Sequence, residues 1–393
     1  MSNPRGNRGF PRRGGRGRGG GPPPPAQARA PPAQHRTYEP GKRHMELIPS
    51  VSRSSGLDKD GDALRDPKVQ EEYRAFIQTK ASGPVPGGGS GDADLEKAAS
   101  HRKETEGNLL ILLRKLREGL MSTQRRDAFA LEVYETSLHL SVLFKSPAQT
   151  TSTLSHLFPA FYVVPAQARP PTSTLHTPEH DAGTQQPVPE SPPPTALAST
   201  LIFLLHHLVS TYPSQLSFHT QLRQLHPTLQ QLLRAPLATA PYEWLTALAR
   251  CLRRRDYARL GMLTEHATFG RFVDVNATAA NGDRRNLAKE AIQVLVESLL
   301  EKAREPAWNV LRTAYREVHL RTTPTGAAVG ETTAAWLARS LVLRSTSAGG
   351  ENLHGDNITH DVVTTWLEER STKGEARRKE GEGMESRWIL VKA

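Results

Sequence analysis

One cysteine in 393 residues, Cys251, is too few for an internal disulfide or a thiolate metal site, and a reducing compartment is the default that follows. Long apolar runs are scarce as well. The best stretch, Leu201 to Leu208, is interrupted by His206 and His207 and falls far short of the roughly twenty residues needed to cross a bilayer, so no membrane association is expected. The basic N-terminus has no apolar segment behind its charges, which argues against a secretory signal. Catalytic signatures are missing too: there is no Gly-x-Ser-x-Gly elbow, Walker loop, dinucleotide fingerprint or His-Glu-x-x-His pair. The chain therefore reads as a non-enzyme with no catalytic residue, no metal and no cofactor. Asp58, Asp60 and Asp62 lack the spacing of a calcium loop and read as a polar turn. Adjacent His206 and His207 face different sides of a helix and cannot chelate one ion.

Acidic residues are missing from Met1 to Arg36, where eight Arg stand without a single Lys, Asp or Glu. That segment carries +8 of the formal net charge of +11, so the chain joins a cationic tail to a nearly balanced body. The 30 Gly and 30 Pro are crowded rather than spread. From 1 to 49 they leave too few apolar side chains to offset ordering entropy, and disorder is expected. Between 50 and 91 the only helical stripe is Pro67 to Thr79, with Val69, Tyr73, Phe76 and Ile77, inside what reads as a flexible linker.

From 92 to 320 the pattern is helical. Leu109, Leu112, Leu113, Leu116 and Leu120 keep a three-to-four spacing that Gly119 is expected to end, and Ser122 is the predicted N-cap of a helix carrying Phe129, Val133, Leu140 and Leu143. Ser146-Pro147 resets the chain for the next helix. The span 163–195 holds nine Pro and reads as an inserted loop. Stripes resume with Leu201, Leu204, Leu205 and Leu208. They continue through a segment broken at Pro227, then through Trp244, Leu245, Leu248 and Leu252, with Cys251 as a core thiol. Two further helices are predicted over Leu287 to Leu300 and Ala307 to Leu320. From 321 to 393 the order changes: a helix near Thr332 to Leu343, a Gly-rich loop, a helix from about Thr359 capped by Asn357 or Thr359, a charged turn, and one strand at Arg387-Trp-Ile-Leu-Val-Lys392. That order is the order of a winged helix. The predicted fold class is mainly α: a helical repeat array closed by a C-terminal winged helix, behind a disordered tail.

Two stretches resemble a known family. Arg125-Arg-Asp-Ala-Phe-Ala-Leu-Glu-Val-Tyr-Glu-Thr136 resembles a helix of the GANP-type branch of the PCI-domain family. The segment from Trp244 through Arg253-Arg-Arg-Asp-Tyr-Ala-Arg259 resembles that branch's passage from a Leu/Ala helix through a short basic turn into a further helix. The resemblance implies a scaffold of transcription-coupled messenger RNA processing or export, in the nucleus, with the cytoplasm as a second compartment left open. It also implies pairing with a second PCI-domain subunit and a small acidic protein. A subunit of a proteasome-lid or translation-initiation type of PCI assembly is the competing reading.

The candidate RNA-binding residues are Arg5, Arg8, Arg12, Arg13, Arg16 and Arg18 of the tail. Guanidinium groups fork onto phosphates and stack on bases, while the intervening Gly lets the backbone follow an irregular strand. Arg312, Arg316, Arg339 and Arg344 are candidate nucleic-acid contacts around the winged helix, balanced against a reading as an ordinary solvated surface. Arg253, Arg254 and Arg255 are candidate partner contacts, although cations at a helix end also complement its dipole.

Overall fold

A computed structural model of the chain describes residues 45–51, 63–82, 92–162, 192–235, 240–274, 286–320, 332–343, 356–381 and 386–392. The tail arginines, the Asp58 to Asp62 turn, most of the Pro-rich segment and Arg344 lie outside these residues. The described protein is mainly α-helical, with thirteen α-helices and one small antiparallel sheet. No described helix is long and apolar enough to cross a membrane.

The core begins earlier in the chain than the apolar pattern suggests. Helix α1 (Pro67–Ala81) is no loose segment in a linker: Val69, Tyr73 and Ile77 are buried against α2 (Asp92–Ser122). Asp66 caps α1 by accepting from the Lys68 amide, and Pro67 supplies the pre-set first turn. Upstream of α1, the Ile48 carbonyl accepts from Lys115 Nζ at 2.8 Å. Gly119 does not end α2. A Cβ there would sit 2.7 Å from the Leu64 carbonyl oxygen, so the glycine is needed for close backbone approach. The stripe Leu113, Leu116 and Leu120 is fully buried, each side chain contributing roughly 1.5–3 kcal/mol of transfer free energy.

Helix α3 (Ala128–Leu143) is capped by Asp127, whose carboxylate accepts from the Ala130 amide, and not by Ser122, which is the last residue of α2. Arg125 locks this junction. It pairs with Glu71 at 2.9 Å and Asp127 at 2.7 Å, donates to Gln70 Oε1 at 3.1 Å, and lies over the Phe129 ring at 4.3 Å. Helix α4 (Pro147–Leu157) runs into a π-helical turn, Phe158–Tyr162. Tyr162 before the Pro-rich segment and Thr195 after it both donate to Glu135 Oε1 of α3 at 2.5 Å. The two ends of the excursion are thereby held at one buried carboxylate.

Helix α5 (Ala196–Ser210) crosses the centre of the body and packs most extensively on α11 (Leu287–Ala314). His206 meets the Thr151 hydroxyl and His207 the Ser217 hydroxyl, both at 2.9 Å, so the two imidazoles tie α5 to different neighbours. Burial, then the neighbouring His207, pushes His206 down to about 4, and burial does the same to His139. Helices α6 (Leu216–Gln224) and α7 (Pro227–Leu233) are separated where Pro227 starts the second. Helices α8 (Pro241–Arg254), α9 (Tyr257–Leu263) and α10 (His266–Asp274) complete the body. Cys251 is buried and unpaired with any other thiol.

The two helices expected between Leu287 and Leu320 are one helix, α11, followed by a strand, β1 (Glu317–His319). Asn286 caps α11 through the Lys289 amide. Pro306 stands inside it where the helix passes from one core to a second: Leu299, Leu300 and Ala303 belong to the body, Ala307, Trp308 and Leu311 to the C-terminal module. That module therefore starts before residue 321. It comprises the end of α11, β1, α12 (Thr333–Leu341), α13 (Asp356–Thr372), β2 (Ala376–Arg378) and β3 (Arg387–Leu390). Helix α13 starts at Asp356, so Asn357 and Thr359 lie within it. The strands run antiparallel in the order β1-β3-β2, with Trp388 opposite both Val318 and Arg378. Trp308 and Trp366 meet edge to face at 4.7 Å between them.

A candidate nucleic-acid interface at the α8–α9 corner

Helix α8 is sharply two-sided. Trp244, Leu245, Leu248 and Leu252 are buried, and Arg250, Arg253 and Arg254 come together on the opposite, exposed side by their three-and-four spacing. Arg255 ends the helix at φ 56°, a left-handed position that normally favours glycine. The turn then enters α9, where Asp256 is committed to capping: its carboxylate accepts from the Arg259 amide at 3.1 Å.

Other elements extend this corner. Gln215 donates to the Ala249 carbonyl at 2.7 Å, which seats the start of α6 beside α8. Burial, then the charges of Arg253 and Arg223, holds His219 below its ordinary value, so Arg223 of α6 contributes to the same positive field. Arg255 bears on both Tyr212 and Tyr257, whose rings are half-buried. Six exposed arginines, Arg223, Arg250, Arg253, Arg254, Arg255 and Arg259, thus lie on α6, α8, α9 and the turn between the last two. None of the six pairs with a carboxylate among the described residues. Gln215 Oε1, His219 Nε2 and Tyr257 Oη are buried polar atoms with no hydrogen-bond partner among the described residues. The dipole of α8 accounts for cations in its last turn but not for Arg223 or Arg259. Sequence reasoning missed both Arg250, which its spacing from Arg253 and Arg254 could have shown, and Arg223, thirty residues from Arg253, which carried no local signal.

The C-terminal module treats its arginines in the opposite way. Arg312, expected on a nucleic-acid face, is buried: its Nε donates to the Val391 carbonyl at 2.6 Å and its Nη1 lies 3.5 Å from Glu375. It contacts no external ligand in this position. Arg370 is also buried, pairing with Glu305 at 2.6 Å and Glu375 at 3.1 Å with its guanidinium over Trp366. Trp308 Nε1 adds a third donor to Glu375 at 2.9 Å. Burial pushes the Glu375 carboxyl up, but these hydrogen bonds and the Arg370 and Arg312 charges outweigh it, and the group is held below its ordinary value. Arg304 donates to the Leu341 and Val342 carbonyls at the end of α12. Arg316 and Arg339 are exposed, the first beside Tyr315, whose ring meets Trp336 of α12 at 5.4 Å. The exposed residues of α13 include Asp361, Glu368 and Glu369.

No protein-family model matches the sequence, and no curated protein matches it.

Proposed function

We propose that the chain is a non-enzymatic scaffold of nuclear messenger RNA processing or export, in which the helical body and C-terminal module dock partner subunits while arginine-rich surfaces hold RNA. The observation that carries this reading is the α8–α9 corner, where six exposed guanidinium groups have no carboxylate partner among the described residues. Such a surface binds a polyanion by neutralising its phosphates and releasing the cations condensed on them. The resemblance of the stretches around Tyr134 and Arg253 to GANP-type PCI proteins is consistent with this role.

The order α11, β1, α12, α13, β2, β3 with sheet order β1-β3-β2 supports reading the C-terminal module as a winged helix that closes a helical repeat array. Its acidic α13 surface suits assembly with protein better than contact with phosphates. RNA contact is thereby assigned to the corner and to the Arg/Gly tail, and the corner arginines change from protein-docking to RNA-docking candidates. A second PCI subunit remains the partner class that the family resemblance implies.

The test is equilibrium binding of a labelled single-stranded RNA to the full chain across a salt series. Replacing Arg253 and Arg254 by Ala and Arg255 by Gly removes three charges at sites where the helix cap tolerates the change. If all three contact phosphates, the slope of log affinity against log salt falls by about 2, at roughly 0.7 per lost contact. An unchanged slope removes the corner from the interface.

A further inference from the structure

One arginine of the body is buried without an ion pair among the described residues, with the neighbouring Glu118 as the only carboxylate whose charge bears on it. Arg117 of α2 is 4% exposed, yet it pairs with no carboxylate among the described residues. Its Nη2 donates to Gln149 Oε1 at 3.2 Å, its guanidinium lies 5.9 Å from the Tyr134 ring centroid, and its Nε is enclosed with no partner. An isolated buried charge is costly, and it persists in a fold either with hidden compensation or because something binds to it. Arg117 lines a groove of about 340 Å³ between α2 and α4, together with Arg114, Glu118, Met121, Gln149 and His156.

The charge balance of the groove defines its ligand. Arg114 Nε and Glu118 Oε1 are 3.1 Å apart and offset each other, which leaves one positive charge, on Arg117. A singly charged anion neutralises it; a dianion overshoots. A carboxylate fits the planar guanidinium fork, and Gln149 stands ready as a further polar contact. The remaining wall sets an apolar strip, the half-exposed Met121 with Tyr134 and Ala148, beside polar Ser152 and His156. The volume is at the lower end for a small-molecule site.

We infer that the α2–α4 groove binds a single carboxylate carried on a short apolar body, with Arg117 as the anchor. The inference goes beyond the RNA reading, and corner variants leave it unaffected. Two sources offer this chemistry: a free small acid, or the terminal carboxylate of a peptide ending in an apolar residue.

Calorimetric titration of the full chain with 4-methylpentanoate, its amide, inorganic phosphate, and a tripeptide ending in leucine as acid or amide tests it. The acid binds at least about tenfold tighter than the amide, and Arg117→Met abolishes the difference. Arg117→Met also melts no lower than the wild type, because it removes a buried charge that has no ion pair among the described residues, whereas a purely structural arginine would lower the melting temperature. Arg117→Lys, which keeps the charge but loses the fork, retains weakened binding and provides the check should the methionine variant fail to fold. A peptide acid that binds tighter than the free acid identifies a chain end as the source, and the reverse order identifies a small acid. Equal binding of acid and amide, or tighter binding of phosphate, overturns the inference.

Discussion

The α8–α9 corner and the C-terminal module use the same residue for opposite ends. At the corner, arginines stand on the exposed side of one helix and its neighbours, and the aspartate of the turn between α8 and α9 has its carboxylate committed as a cap. In the module, Arg312 and Arg370 turn inward onto Glu375, which also accepts from Trp308, so charge is consumed in holding α11, α13 and the start of β2 together. An arginine in sequence is therefore no evidence of a ligand face until its nearest carboxylate is known. The difference is one of partners, because each guanidinium carries the same charge in both places.

The largest effect that separates the two regions comes from Glu375→Ala. It leaves buried Arg312 without its carboxylate, takes from Arg370 one of its two carboxylate partners and strands the Trp308 N–H, and it should destabilise the module by roughly 3–5 kcal/mol, read by denaturant unfolding followed through tryptophan fluorescence. Unchanged stability would mean that the inward arginines find other compensation.

Acid should loosen the helical body that carries the corner before it loosens the module. His139 and His206 are depressed to about 4 from 6.5, so the stability they confer is complete above pH 6.5 and is lost as pH falls toward 4. Glu375 is held below its ordinary 4.5, so its contribution is complete above that value and is lost only at lower pH. Hydrogen exchange along an acid titration should show α3 and α5 loosening before α13 and β3, and the reverse order would contradict the assignment.

The smallest effect belongs to the corner itself. Arg253→Ala and Arg254→Ala remove no ion pair and no buried surface, so each should change stability by no more than about 0.5 kcal/mol in thermal melts. A loss approaching that of Glu375→Ala would show that the corner arginines are structural after all.

Much of the body was legible from spacing. The stripe from Leu109 to Leu120, the stripe from Leu201 to Leu208 and the inward side of α8 are all buried as their periodicity predicts, because a helical repeat is written in residues three and four apart. The break at Pro227 and the start of α4 at Pro147 were equally readable, since proline acts on its own backbone. Cap choice was less so: Asp127 rather than Ser122 begins α3, a decision that depends on where α2 runs out against Leu64 and Gln70.

Local chemistry thus fixed which segments become helices, which side chains face inward along them, and where the cationic tail lies. Folding in three dimensions settled the rest. Strands β1 and β2 are three residues each, too short to show alternation, and exist only because β3 pairs with both. Helix α11 continues through Pro306 because two separate cores bury its two halves. Arg223 joins Arg253, and Arg312 meets Glu375, across tens of residues, where the energy of a charge is set by neighbours that the chain brings near only once it has folded.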